Sequence, residues 1–151
     1  MAKFEPRDPD FEAKVRSSFA KQTAMRTLGA VIGKVGPGEV EIEMPYRADL
    51  TQQYGFIHCG IVTAILDSAC GYAAFSLSAP DTAVLTVEYK VNFVAPANGG
   101  RLLARGEVVR PGTTIAVCKG DVLAYDGEEE KLVATMLTTM MLMPNRPVLA
   151  N

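Results

Sequence analysis

Asp67 is the only charged residue in the most apolar stretch of the chain, GIVTAILDSACGYAAFSL from Gly60 to Leu77. Nine residues before it stands the only histidine, His58, in the run Tyr54-Gly55-Phe56-Ile57-His58-Cys59-Gly60. Burying an unpaired carboxylate is costly, so a chain that keeps one in such a place gives it a partner or a task. The tasks open to it are those of a general base or a nucleophile. A structural acid, hydrogen-bonded to Gln52 or His58 and doing no chemistry, is the plainer alternative. His58 is read either as a conformational residue at the helix start or as a participant.

Other chemistries find little support. Cys59, Cys70 and Cys118 are widely spaced and form neither a disulfide framework nor a zinc pattern. A single histidine puts His-rich metal sites out of reach, so no metal is expected. No nucleophile-elbow motif accompanies His58. Cys59 sits where a thiolate would be favoured, at a helix start beside a histidine. No activating third residue is in view, so it reads first as a small buried residue.

The 151 residues suit one domain, here 1–151, with 48% apolar and 21% charged residues. A net charge of −2 leaves no electrostatic footprint for nucleic acid. The opening MAKFEPRDPDFEAK has no apolar h-region, so a cytoplasmic location is expected. Gly60 to Leu77 has about the minimum length for a membrane span, yet an acid at its centre argues against one. A helix apolar all round is expected to be a core helix.

The flanking elements follow from periodicity. Phe11, Val15 and Phe19 share one face of an N-terminal helix, with Asp10 as its N-cap, within a helical segment 1–27. A first strand is expected over Leu28 to Val35, then a turn at Gly36-Pro37-Gly38. Glu39 to Met44 alternates as a half-buried strand. After the apolar helix come four strands, over Thr82 to Val94, Arg101 to Arg110, Thr113 to Tyr125 and Lys131 to Met143. In the first of them Leu85, Val87, Tyr89, Val91 and Phe93 are expected on one face and Thr86, Glu88, Lys90 and Asn92 on the other. Short turns, one of them Asp126-Gly127, imply an antiparallel meander of these four. Residues 144–151 read as a tail. The class is α+β, with five to six strands wrapped around one apolar helix.

This order, together with Gln52, Gly55, His58-Cys59-Gly60 and Asp67 at their spacing, resembles the PaaI-like acyl-CoA thioesterases of the hotdog fold. The stretch from Thr86 to Pro96 is similar to that family's central strand. The resemblance covers roughly residues 28 to 143. One departure stands out: Cys59 replaces the glycine that usually follows the histidine.

The resemblance implies hydrolysis of a small, medium or aromatic acyl-CoA, with no cofactor beyond the coenzyme A of the substrate. It implies that Asp67 acts as base or nucleophile and that Gln52 and Thr86 position the water or the carboxylate. His58 then orients the turn at the helix start. The free Cys59 N–H, at the positive end of the helix beside Gly60, would polarise the carbonyl. Asp67 and Cys59 lie roughly 12 Å apart along one helix, too far to act on one carbonyl from the same chain. The family shares its site between subunits, so a homodimer is expected, within a dimer of dimers. Coenzyme A contacts are implied around Val94 and Asn98 and around Arg110, Gly112 and Thr113. Two rival readings remain. One is a non-catalytic acyl-CoA binder or sensor. The other is a hotdog hydratase or dehydratase, whose proline-containing loop after the histidine is absent here.

Overall fold

A computed structural model describes residues 2–146. Two helices open the chain, α1 (Phe11–Ala20) and α2 (Thr23–Leu28). Val15 is fully buried, with Phe11 and Phe19 half-buried beside it. Asp10 stands at the N-cap of α1, but its side chain makes no capping bond. Asp8 instead accepts from the Asp10 N–H at 2.9 Å and pairs with Lys14 at 3.5 Å. Leu28, expected to open the first strand, ends α2. Gly29, at φ +69°, stops that helix, and the strand begins at Val31. Six residues are too few for a 3.6-residue period to show.

The remaining elements are β1 (Val31–Gly36), β2 (Glu39–Pro45), a 3-10 turn (Ala48–Leu50), α3 (Cys59–Ser76), β3 (Thr82–Phe93), β4 (Arg101–Arg110), β5 (Ile115–Asp126) and β6 (Glu129–Pro144). All strand pairs are antiparallel, in the order β1-β2-β4-β5-β6-β3. Helix α3 contacts every strand. This is the hotdog arrangement. By length and composition α3 would suit a membrane span. Here Ile65, Leu66, Ala69, Cys70 and Ala73 lie fully buried within the domain. The expected tail divides: Pro144 closes β6, and residues 147–151 lie outside the described residues.

Two glycines let helix and sheet approach closely. A Cβ on Gly106 of β4 would lie 2.4 Å from the Ala69 backbone, and one on Gly120 of β5 would lie 2.7 Å from Leu66 Cδ1. Both distances are well inside van der Waals contact.

Two expectations about β3 need correction. The last four strands are not one meander, because only β4, β5 and β6 follow in turn while β3 lies on the far edge beside β6. The loop from Val94 to Gly100 carries the chain across the intervening strand ends. Val94 and Ala95 donate to the Val133 carbonyl of β6, and Gly100 donates to the Tyr125 carbonyl of β5. The alternation of β3 also changes phase. Thr86 pairs with Met140 but Glu88 pairs with Thr139, so Val87 is a bulge. An extra residue on one strand moves everything beyond it to the opposite face. Thr86 and Val84 therefore share the helix side with Tyr89, Val91 and Phe93, opposite buried Met140, Thr138 and Met136. Leu85 turns outward with Glu88, Lys90 and Asn92.

Candidate active site

The bulge aims Thr86 at α3, where its hydroxyl donates to Asp67 Oδ1 at 2.7 Å. Asp67 is half-buried. Burial pushes its pKa above the usual carboxylate range, and the Thr86 hydrogen bond partly offsets this. Among the described residues, no protein donor other than the Thr86 hydroxyl reaches the Asp67 carboxylate.

Asp67 opens into a cavity of about 460 Å³ between α1, α3 and β3. Ser68, Gly71, Tyr72 and Phe75 continue the helix side of that cavity. These positions follow Asp67 at helical spacing on one face. The opposite wall comes from β3 and Met140, and the outer wall from Lys14, Ser17 and Ser18 of α1 together with Gln22. Polar contacts tie the outer wall to α3. The Ser18 and Tyr72 hydroxyls are 3.3 Å apart, and Ser68 donates to Gln22 Oε1 at 3.2 Å. Lys14 Nζ donates to the Ser78 carbonyl at 2.8 Å and lies 4.8 Å from the Phe75 ring centre. The α1 wall was not visible in the sequence, since it depends on contacts between residues about fifty positions apart.

Gly71 is the only glycine inside α3 after its first turn. A glycine in a helix interior costs about 1 kcal/mol against alanine. Packing does not require it, because a Cβ there would meet only Met140 Cε, at 3.9 Å.

The start of α3 is built around His58. It occupies the N-cap, and its Nδ1 accepts from the Gly60 N–H at 2.8 Å. That bond needs Nδ1 unprotonated, leaving the ring proton on Nε2. The His58 N–H donates to the Leu50 carbonyl and the Ile57 N–H to Ala97. Gly60 thus spends its N–H on the cap. Among the described residues, nothing accepts from the N–H of Cys59, which is exposed at the first helical position. Cys59 and Asp67 stand eight residues apart on the one helix.

Gln52 is held within its own loop rather than beside Asp67. Its Oε1 accepts from the Tyr54 N–H at 2.5 Å, and its backbone exchanges hydrogen bonds with Phe56 and Gly55. Gly55 supplies the left-handed turn there at φ +82°. The residues implied for coenzyme A fall into two groups. Val94 is exposed at the end of β3, and Asn98 accepts from Lys131 in the loop that touches Ile57, near the start of α3. Arg110, Gly112 and Thr113 lie at the other end, around a turn packed beside Ala74 and Leu77. One protomer does not bring the two groups together. Tyr72 and Phe75 line the Asp67 cavity, whereas Phe56 does not. Among the described residues, no cluster of His, Cys, Asp and Glu is arranged to hold a metal ion.

The profile of the thioesterase superfamily matches residues 54–131, from the loop before α3 into β6. A thioesterase family protein from Silicibacter pomeroyi, known by crystal structure, is 53% identical, with 89% of this chain and 99% of that one covered and a TM-score of 0.88. The E. coli PaaI protein from the phenylacetic acid degradation operon superposes with a TM-score of 0.81 over 89% of this chain and 94% of its own. At 18% identity that likeness shows the fold alone. A Saccharolobus solfataricus protein is 32% identical over 91 residues, which span 60% of this chain and 64% of that protein's length. The 1,4-dihydroxy-2-naphthoyl-CoA hydrolase of Listeria monocytogenes is 23% identical over 120 residues, 80% of this chain and 95% of its own. With more than half of its length matched, from the loop that shapes the helix start through the strand carrying Thr86, the chain belongs to the thioesterase superfamily, a family of thioester hydrolases.

Proposed function

We propose that the protein hydrolyses an acyl-CoA to free acid and coenzyme A in sites shared across a homodimer. The observation that carries this reading is the half-buried Asp67, held by Thr86 in the wall of a cavity of about 460 Å³. In the general-base route Asp67 takes a proton from water, and the water oxygen attacks the thioester carbonyl carbon. The carbonyl electrons move onto oxygen, where the Cys59 N–H of the partner subunit stabilises them. Collapse of the tetrahedral intermediate re-forms the carbonyl and expels the coenzyme A thiolate, which takes up a proton. In the nucleophile route the carboxylate attacks the carbonyl carbon and expels the coenzyme A thiolate, and water then cleaves the mixed anhydride to free acid and the Asp67 carboxylate. The raised pKa of Asp67 strengthens the carboxylate as a base and as a nucleophile alike.

The dimer is supported by geometry. Asp67 and Cys59 are too far apart along α3 to act on one carbonyl within a chain. Strand β3 is an open sheet edge bearing exposed Val87, Tyr89 and Phe93. Such an edge calls for a partner. On the outer face Leu85, Leu137 and Met141 are exposed as well, which suits the pairing of dimers into a tetramer. A shared site also accounts for the two separated groups implied for coenzyme A. Val94 and Asn98 would then come from one subunit and Arg110, Gly112 and Thr113 from the other, with Arg110 meeting a phosphate. The name of the Listeria relative supports a CoA thioester as the substrate.

The test is thiol release over a panel of aryl- and alkyl-acyl-CoAs, with wild type beside Asp67→Asn. Turnover on some members that vanishes in the variant is the expected result. Flat traces from folded wild-type protein on every substrate would sink the reading and favour a binding module.

A further inference from the structure

We infer that Gly71 is a specificity-determining residue, kept without a side chain so that a ring-sized acyl group can lie beside α3 between Asp67 and Phe75. This rests on the thioesterase reading and names the kind of acyl group that the site admits.

Three observations carry it. Gly71 lines the same cavity as Asp67, one helical turn further along, and Phe75 stands a further turn on. The fold has no use for the missing side chain: a Cβ at Gly71 meets a single atom, Met140 Cε, at ordinary contact distance. The close-approach glycines Gly106 and Gly120 differ, since a Cβ there would run into the backbone or packed side chains of α3. The helix thus bears the glycine penalty described above for empty space alone, and that space belongs to the cavity. The walls on either side are broad surfaces. The Tyr72 and Phe75 rings meet edge-to-face with centres 6.1 Å apart, and Val84 and Met140 lie across from them. The cavity of about 460 Å³ has room for a ring against this face of α3. Alanine would narrow the slot by a methyl group, and leucine would occupy it.

The experiment compares wild type, Gly71→Ala and Gly71→Leu on two probes, benzoyl-CoA and butanoyl-CoA. Turnover is followed by thiol release. Binding is followed by calorimetry in the Asp67→Asn background, so that it does not depend on catalysis. Gly71→Leu is expected to lower kcat/KM for both probes, and for benzoyl-CoA by at least about tenfold more than for butanoyl-CoA. Affinities should change in the same pattern. Equal losses on both probes, or none on either, would overturn the assignment while leaving the thioesterase reading intact. If wild type releases no thiol from any substrate, the thioesterase reading fails, and the binding arm still decides whether Gly71 discriminates by width. Both variants should melt no lower than wild type, and Gly71→Ala on the order of 2 °C higher, because each residue is a better helix former. A clear drop in melting temperature for Gly71→Ala would show that the fold needs the glycine and would overturn the inference by itself.

Discussion

Thr86 and Asp67, nineteen residues apart, are joined by a 2.7 Å hydrogen bond that exists because β3 carries a bulge at Val87. The bulge sets which face Thr86 occupies. The bond stabilises the charged carboxylate, while burial destabilises it. Thr86→Val removes the first effect and keeps the second, so the pKa of Asp67 rises further. A base must be deprotonated to act. The acidic limb of the kcat/KM profile should therefore move to higher pH, with a loss of about tenfold on that limb, in keeping with a lost bond to a charged group. An unmoved limb would mean that Asp67 does not govern the rate.

Stability should respond to Asp67 in the opposite sense. Its pKa is raised in the folded state, so the folded protein binds the proton more readily than the unfolded chain does. Stability then falls as pH rises from the unfolded value, about 3.9, through the folded value. Asp67→Asn removes that dependence and retains an oxygen for the Thr86 hydroxyl. The variant should melt on the order of 2 °C above wild type at pH 7, with the gap closing below about pH 4. Melting curves across pH check both the sign and the window. A gap that widened in acid would contradict a carboxylate destabilised by burial.

These two residues mark how far the sequence could be read. The apolar run around Asp67 and the alternation of Glu39 to Met44 are local signals, and they located α3 and β2 directly. The spacing of Gln52, His58 and Asp67 pointed to the helix start and its acid. The phase of β3 beyond Val87 was out of reach, because a bulge is settled by the pairing with β6, about fifty residues later. The same holds for the cavity. Ser18 meets Tyr72 across 54 positions, and no local pattern announces a wall built from α1. The division of the helical segment into α1 and a six-residue α2, and the separation of β3 from β4, were missed for related reasons, too short a period in one case and a non-local neighbour in the other.

His58 is testable as a cap. Its Nδ1 satisfies the Gly60 N–H, one of the otherwise unpaired donors at the start of α3. His58→Ala should cost about 1 kcal/mol, or roughly 3 °C in melting temperature. Asparagine is among the best N-caps, so His58→Asn should restore the stability and most of the thiol release lost in the alanine variant. Stability that recovers while turnover stays down tenfold or more would give the imidazole a direct role at the substrate.

The backbone donor at Cys59 can be removed with little disturbance, and this makes the shared site testable. Cys59 is the first helical residue, where proline is favoured and its missing N–H leaves no helix bond unmade. His58, at φ −58° and ψ 136°, already has the backbone that a residue before proline adopts. Cys59→Pro should thus fold normally and lower kcat by about 10²- to 10³-fold through loss of the oxyanion donor. Asp67→Asn is inactive for the other reason. In a mixed dimer of the two variants, one shared site receives both defects and the other receives neither. Random assembly makes half of the dimers mixed, so the pool should regain about a quarter of the wild-type rate. Co-refolding the two inactive proteins and assaying thiol release measures this directly. Activity that stays at the level of the separate variants would place Asp67 and its carbonyl-polarising donor in the same subunit, and the argument from their separation along α3 would fail.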